Sequence, residues 1–286
     1  MPTPRFTTPA TLILCALLVG CTPDLPPAPT EVHSAPVGVP SESVTPTSVA
    51  ETPSENPDTQ LSADLQRIAD EAANMYGGAA TVAVSDGKQT FASAEAGPYV
   101  AWSTSKVPIA IAALRVDPGL APIAEAAITV SDNVAAESLW AAVTPAQVEA
   151  VLAEAGSPIA MNTVITRPGF TAFGQTQFST HDQATFAAGL PCVAGASDVL
   201  AMMGRISPDQ AYGLGTMPDA QFKGGWGPDT AGRYVIRQLG LVDGRGVALT
   251  VAPADGQYAT GQQMATQIAG QLGQVLQQMP KAACTN

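Results

Sequence analysis

The chain has 286 residues, 46% of them hydrophobic, and a formal net charge of −12 from 12 Lys and Arg against 24 Asp and Glu. That acidity excludes a nucleic-acid surface, or a basic patch laid against anionic lipid, as the main activity. Two histidines and four cysteines, widely spaced, cannot assemble a zinc cluster, so neither metal nor cofactor is expected.

The N-terminus reads as a targeting signal. Arg5 supplies positive charge, and Ala10 to Val19 is almost wholly apolar but too short to span a bilayer as a helix. The run ends in Leu18-Val19-Gly20-Cys21, which resembles the lipobox of bacterial lipoprotein precursors. The resemblance implies removal of residues 1–20 and lipidation of Cys21. The alternative is an ordinary secretory signal with an incidental cysteine. Either way the chain is exported. With the lipid, it is extracytoplasmic, anchored to the bacterial cell membrane and in contact with it through that lipid only. Residues 21–58 mix Pro, Thr, Ser, Val and Glu without a helical or strand period. Such a segment buries too little apolar surface to offset its conformational entropy, and reads as a disordered tether.

Residues 59–286 have the length and apolar content of one domain. Leu61 to Tyr76 shows helical periodicity and stops at Gly77-Gly78. Thr81–Val84 and Gln89–Ala92, joined through Asp86-Gly87, read as a hairpin. Helices follow: one from Ser103 through Arg115, one after Asn133, one from Thr144-Pro145 towards Gly156, one behind a capping box at Thr180-His181-Asp182-Gln183, and a short one at Ser197–Met203. Strands return at Ala220–Gly225, Arg233–Val242 and Gly246–Val251, before a closing helix over Thr260–Met279. Strands from both ends of the domain predict an α+β architecture. One antiparallel sheet is flanked by the terminal helices, beside a helical subdomain, with a cleft between. Of the cysteines, Cys15 leaves with the signal and Cys21 takes the lipid. Cys192 and Cys284 remain, as one disulfide in an exported domain or as two buried thiols.

Three short motifs carry the chemistry. Ser103-Thr104-Ser105-Lys106 opens an apolar helix, where i and i+3 share a face and set a hydroxyl beside an amine. A lysine in a dry pocket can lose its proton and activate that hydroxyl; taken alone, the same residues are a helix cap and a snorkelling lysine. Ser131-Asp132-Asn133 precedes a helix, and Lys223-Gly224-Gly225 ends a strand; alone, each reads as a cap or a turn. Together, and in this order, they resemble the penicillin-recognising serine hydrolases, most closely class A β-lactamases. The resemblance extends over nearly all of residues 59–286 and implies a β-lactamase/transpeptidase-like fold.

The resemblance also implies roles. Ser103 attacks a carbonyl to form an acyl-enzyme, Lys106 takes its proton, and Ser131 relays a proton to the departing nitrogen. Asn133 binds the substrate amide, and Lys223 supplies positive charge near Ser131 and the substrate carboxylate. The backbone of Ser103 and Trp226, after Gly225, forms an oxyanion hole, and Arg233 lies near a position where the family often binds carboxylate. The implied substrate is a β-lactam or a cell-wall peptide, bound by a monomer. Three departures stand beside these matches. Residues 159–179, where the family's catalytic glutamate should fall, contain no Asp or Glu, leaving Gln175 or Gln177 to orient a water. Only Val116 to Val130 joins the nucleophile helix to Ser131, which predicts a more open pocket. Gly224 replaces a hydroxyl residue. The expected activity is therefore acylation of Ser103 by an amide or ester with poor deacylation. The alternative is a non-catalytic lipoprotein that keeps the fold to bind a wall component or protein partner, and a glutaminase-type amidohydrolase is a third reading.

Overall fold

The computed structural model describes residues 57–97 and 99–284; the expected signal, Cys21 and the tether up to residue 56 lie outside the described residues. Helix α1 spans Pro57–Tyr76 and buries Leu61, Leu65, Ile68, Ala69 and Ala72 in one stripe. It begins inside the expected tether. A first-turn proline lacks only an N–H that would have no partner there, and Asp58 suits the positive end of the helix dipole.

The strands are β1 (Ala79–Ser85), β2 (Thr90–Ala92), β3 (Gln221–Pro228), β4 (Tyr234–Val242) and β5 (Arg245–Ala252). They form the expected antiparallel sheet in the order β2-β1-β5-β4-β3, so both ends of the domain meet at the β1–β5 pair. Two-residue alternation divides the sheet into two buried faces. Val82, Val84, Phe222, Ile236, Val247, Leu249 and Val251 pack with α1 and with α8 (Tyr258–Leu276). Ala83, Leu239, Leu241 and Ala248 face the opposite core, beneath the helical part of the chain. Lys223, next to Phe222, therefore projects to the helical side.

That side holds α2 (Lys106–Val116), α3 (Ala121–Thr129), α4 (Asn133–Ala141), α5 (Pro145–Glu154), α6 (Thr180–Gly189) and α7 (Ser197–Met203). The short connection from Val116 to Val130 is itself mostly helical. Asp117 caps its first turn by accepting from the Gly119 N–H at 2.8 Å. Ala112 and Ala113 of α2 and Ala124 and Ala127 of α3 are buried in one core, and such small side chains allow close helix approach.

The cap of α6 is Ser179, one residue before the expected box: its hydroxyl accepts from the Asp182 N–H at 3.0 Å. Thr180 is already helical and fully buried, bonded to Glu95 and Thr250. Gln183 turns instead to Thr104, donating to its hydroxyl at 2.8 Å. Cys192, just after α6, is bonded to Cys284, which follows α8, with Cα atoms 5.3 Å apart. Among the described residues no helix is long and apolar enough to cross a membrane.

Candidate active site

Ser103 sits in a 3-10 turn, Trp102–Ser105, that runs directly into α2. Hydroxyl groups hold the turn from within: Thr104 donates to Ala101 O at 2.6 Å and Ser105 to Trp102 O at 2.7 Å. The Ala101 N–H donates to Thr176 O at 2.8 Å, which ties the approach to the loop before α6. Trp102 has φ 51°, a left-handed conformation that costs a bulky residue about 1–3 kcal/mol. Its ring is fixed by Phe170, edge-on at 5.2 Å between centroids, and by the Arg167 guanidinium at 5.7 Å. The strain aims Ser103, next in sequence, into a cavity of about 540 Å³, and its hydroxyl makes no hydrogen bond to a described residue.

Lys106, Ser131 and Lys223 meet directly. The Lys106 ammonium donates to Ser131 O at 2.7 Å, to Asn133 Oδ1 at 2.8 Å, and at 3.3 Å to both Ser131 Oγ and Asp132 O. The Lys223 ammonium donates to Ser131 Oγ at 2.9 Å and to Gly224 O at 2.8 Å. Both lone pairs of the Ser131 hydroxyl are thus engaged, which leaves its proton free to point at a bound molecule. Ser131 has φ 57°, a second left-handed residue at the site. The Asp132 N–H on Ala126 O and the Gln210 amide on Val130 O brace its loop, while the Asp132 carboxylate caps α4.

Burial pulls the Lys106 ammonium from 10.5 down to about 8, against the opposing charges of Asp132 and Glu137. Lys223, fully buried, is pushed well below the usual lysine range, first by burial and then by the charge of Lys106. A lysine in this range is within reach of the neutral form that can accept a proton.

Alternation along β3 turns Lys223, Gly225 and Gly227 toward the Ser103 turn. A Cβ on Gly225 would lie 2.9 Å from Ala101 O, Ser103 N and Thr104 N, and one on Gly227 2.6 Å from the Trp102 ring. Both glycines exist because the turn lies flush against the strand. Gly224 faces the other way, with Trp226 and Tyr212 at ordinary contact distance from where its Cβ would be. Trp226 pairs with Ile236 and lines the cavity.

Arg233 is a correction. It lies in the β3–β4 turn, exposed, with its Nε donating to Asp229 Oδ2 at 3.0 Å and an ion pair to the same carboxylate at 2.9 Å. Tyr234, one residue on, lines the cavity in its place. Gln175 is a second correction. Its buried Oε1 accepts from the Arg167 N–H at 2.9 Å and from the Thr166 hydroxyl, and its amide nitrogen faces Arg167 O, Phe170 O and Thr171 O. It clamps the loop and has no capacity left for water. Gln177 bridges to Val100 through backbone and lines a different depression.

Two charged residues at or beside the cavity went unread in the sequence. Arg167 ties the loop to the end of β3, donating to Pro228 O at 2.7 Å and Asp229 O at 3.1 Å while stacking over Phe170. Glu137 lines the cavity from α4, one turn beyond Asn133. The i, i+4 spacing from Asn133 was the available signal for it. Among the described residues no group of three or more His, Cys, Asp or Glu could hold a metal ion.

The close approach at Gly225 yields a direct test. Gly225→Ala must push the Ser103 turn away from β3, since backbone atoms leave no room for the methyl. Reactivity of Ser103 toward an acylating probe should fall about a hundredfold, the cost of misplacing a reacting atom by about an ångström. Unchanged reactivity would show that the strand and the turn are not in register.

No protein-family model and no curated protein matches the chain. Solved structures do. The chain is similar to TLA-3 extended-spectrum β-lactamase, with 12% identity and a TM-score of 0.63 over 75% of this chain and 99% of that one. It is similar to a β-lactamase from Sphaerobacter thermophilus, with 18% identity and a TM-score of 0.60 over 77% and 99%. A variant of the last common ancestor of Gram-negative class A β-lactamases gives 20% identity and a TM-score of 0.53 over 71% and 96%. At these identities the likeness is one of fold, and on that ground the chain has the α+β fold of the class A β-lactamases.

Proposed function

We propose that this protein is an exported, lipid-anchored serine hydrolase that forms an acyl-enzyme on Ser103 with an amide or ester, a β-lactam or a cell-wall peptide. One observation carries the reading: two buried lysines converge on the Ser131 hydroxyl, and one of them, Lys106, lines the same cavity as Ser103. With Lys106 neutral, the Ser103 proton passes to its Nζ as Oγ bonds to the carbonyl carbon. The carbonyl oxygen gains negative charge, which the backbone N–H groups of Ser103 and Trp226 would stabilise. The C–N bond then breaks, the leaving nitrogen takes the Ser131 proton, and a neighbouring ammonium restores it. Lys223 and Asn133 would bind the substrate carboxylate and amide. Gly224, without a hydroxyl, weakens the first of these contacts. The similarity to proteins named as β-lactamases supports the substrate class.

The second reading, a non-catalytic lipoprotein that binds a wall component or partner, is favoured by one observation. The loop from 159 to 179 brings no carboxylate to the cavity, so release of an acyl group through it would be slow.

A fluorescent penicillin distinguishes the two. We expect a covalent label on Ser103 that Ser103→Ala abolishes. A protein that is never labelled, with Ser103→Ala leaving its cellular role intact, decides for the binding reading. Because the base works deprotonated, labelling should quicken by about tenfold per pH unit up to about 8 and level off above it. A rate flat from pH 6 to 9 would remove Lys106 as the base. For the anchor, Cys21→Ser should move the protein from the membrane fraction to the medium, whereas an incidental cysteine would leave its location unchanged.

A further inference from the structure

The family-like loop is empty of acids, yet the cavity is not. Its lining includes Ser103 and Lys106, Asn133 and Glu137 from α4, and Phe170 and Phe173 from the loop. Asn133 and Glu137 are separated by one helical turn and so share a face. Asn133 is bonded to the Lys106 ammonium, which sets that face beside Lys106 in the cavity that Ser103 also lines. The Glu137 carboxylate makes no hydrogen bond to a described residue and is open to solvent. Asp132, the nearest other acid in sequence, is occupied in capping α4. The charge of Glu137 reaches Lys106 and favours its protonated form, which agrees with a position near the reacting centre.

We propose that Glu137 is the general base that releases the acyl group from Ser103, an assignment that rests on the acyl-enzyme reading above. A water between Glu137 and the ester gives a proton to the carboxylate as its oxygen bonds to the acyl carbon. The tetrahedral species collapses with cleavage of the C–Oγ bond. Ser103 Oγ takes a proton from the Glu137 carboxyl, and the product leaves as a carboxylic acid, so the enzyme returns to its starting state. The base stands on a helix in place of the loop, at a solvated edge. It is less shielded from bulk water than a base in a closed pocket, so turnover should be slow.

The test measures formation and loss of the fluorescent penicillin label separately. In Glu137→Gln, formation should be no slower than in the wild type, since loss of a negative charge near Lys106 favours the neutral amine. Loss of the label should slow by about ten- to a hundredfold. In Glu137→Ala, added formate should restore part of that rate, because a small carboxylate can occupy the vacated, solvent-open position. Rescue of this kind does not follow from a merely structural role. Label that forms normally and leaves at the wild-type rate in both variants overturns the assignment to Glu137 alone. Label that never forms on the wild type overturns the acyl-enzyme reading together with it.

Discussion

Two lysine side chains, one fully buried and the other nearly so, direct their ammonium groups at a single hydroxyl oxygen, that of Ser131. Burying one ammonium costs several kcal/mol of lost hydration, and a second beside it adds repulsion. The fold offsets this with oxygen atoms. Ser131 O, Asp132 O and Asn133 Oδ1 surround Lys106, and Gly224 O receives Lys223. Most of the acceptors of Lys106 belong to the loop at Ser131, whose left-handed φ is part of the shape that presents them. A purely structural core would place apolar residues here at lower cost.

Much of the remaining architecture serves that meeting. β3 lies at the sheet edge, and its alternation sends Lys223 to the helical side while Phe222 seals the opposite core. Gly225 and Gly227 strip the same face of side chains so that the Ser103 turn can lie on it. Thr104 reaches Gln183 on α6, and Ala101 reaches Thr176, which couples the turn to the loop that forms the cavity's far wall. That loop is held by Gln175 from inside and by Arg167 from its rim. The rigidity belongs to elements that pack, and the chemistry to residues at their ends.

The distribution of acids sets the character of the site. The loop supplies aromatic and small residues, and the carboxylate that faces the cavity belongs to α4. A carboxylate on a helix, exposed to water, differs from one enclosed by a loop in how firmly it holds a reactive water. On the proposed function, acylation would depend on the buried lysines and release on this more weakly shielded group, so the two steps would be set by different parts of the structure.

Local features of the chain were legible from residues alone. The helical stripe of α1, the Asp86-Gly87 turn, the strand pairs and the three motifs each depend on neighbours within a few positions, and periodicity and turn chemistry report those directly. The antiparallel sheet built from both ends followed from the order of the strands. The cysteine count left a disulfide or two thiols, and the pairing of Cys192 with Cys284 was decided by folding. Contacts between distant segments were decided only in three dimensions. Gln183 bonds Thr104 instead of capping its own helix, Arg233 turns to Asp229, and Gln175 clamps a loop, because each found a stronger partner far along the chain or across a turn. Glu137 reaches the cavity for the same reason: its spacing from Asn133 names a shared helix face, but only packing determines what that face meets.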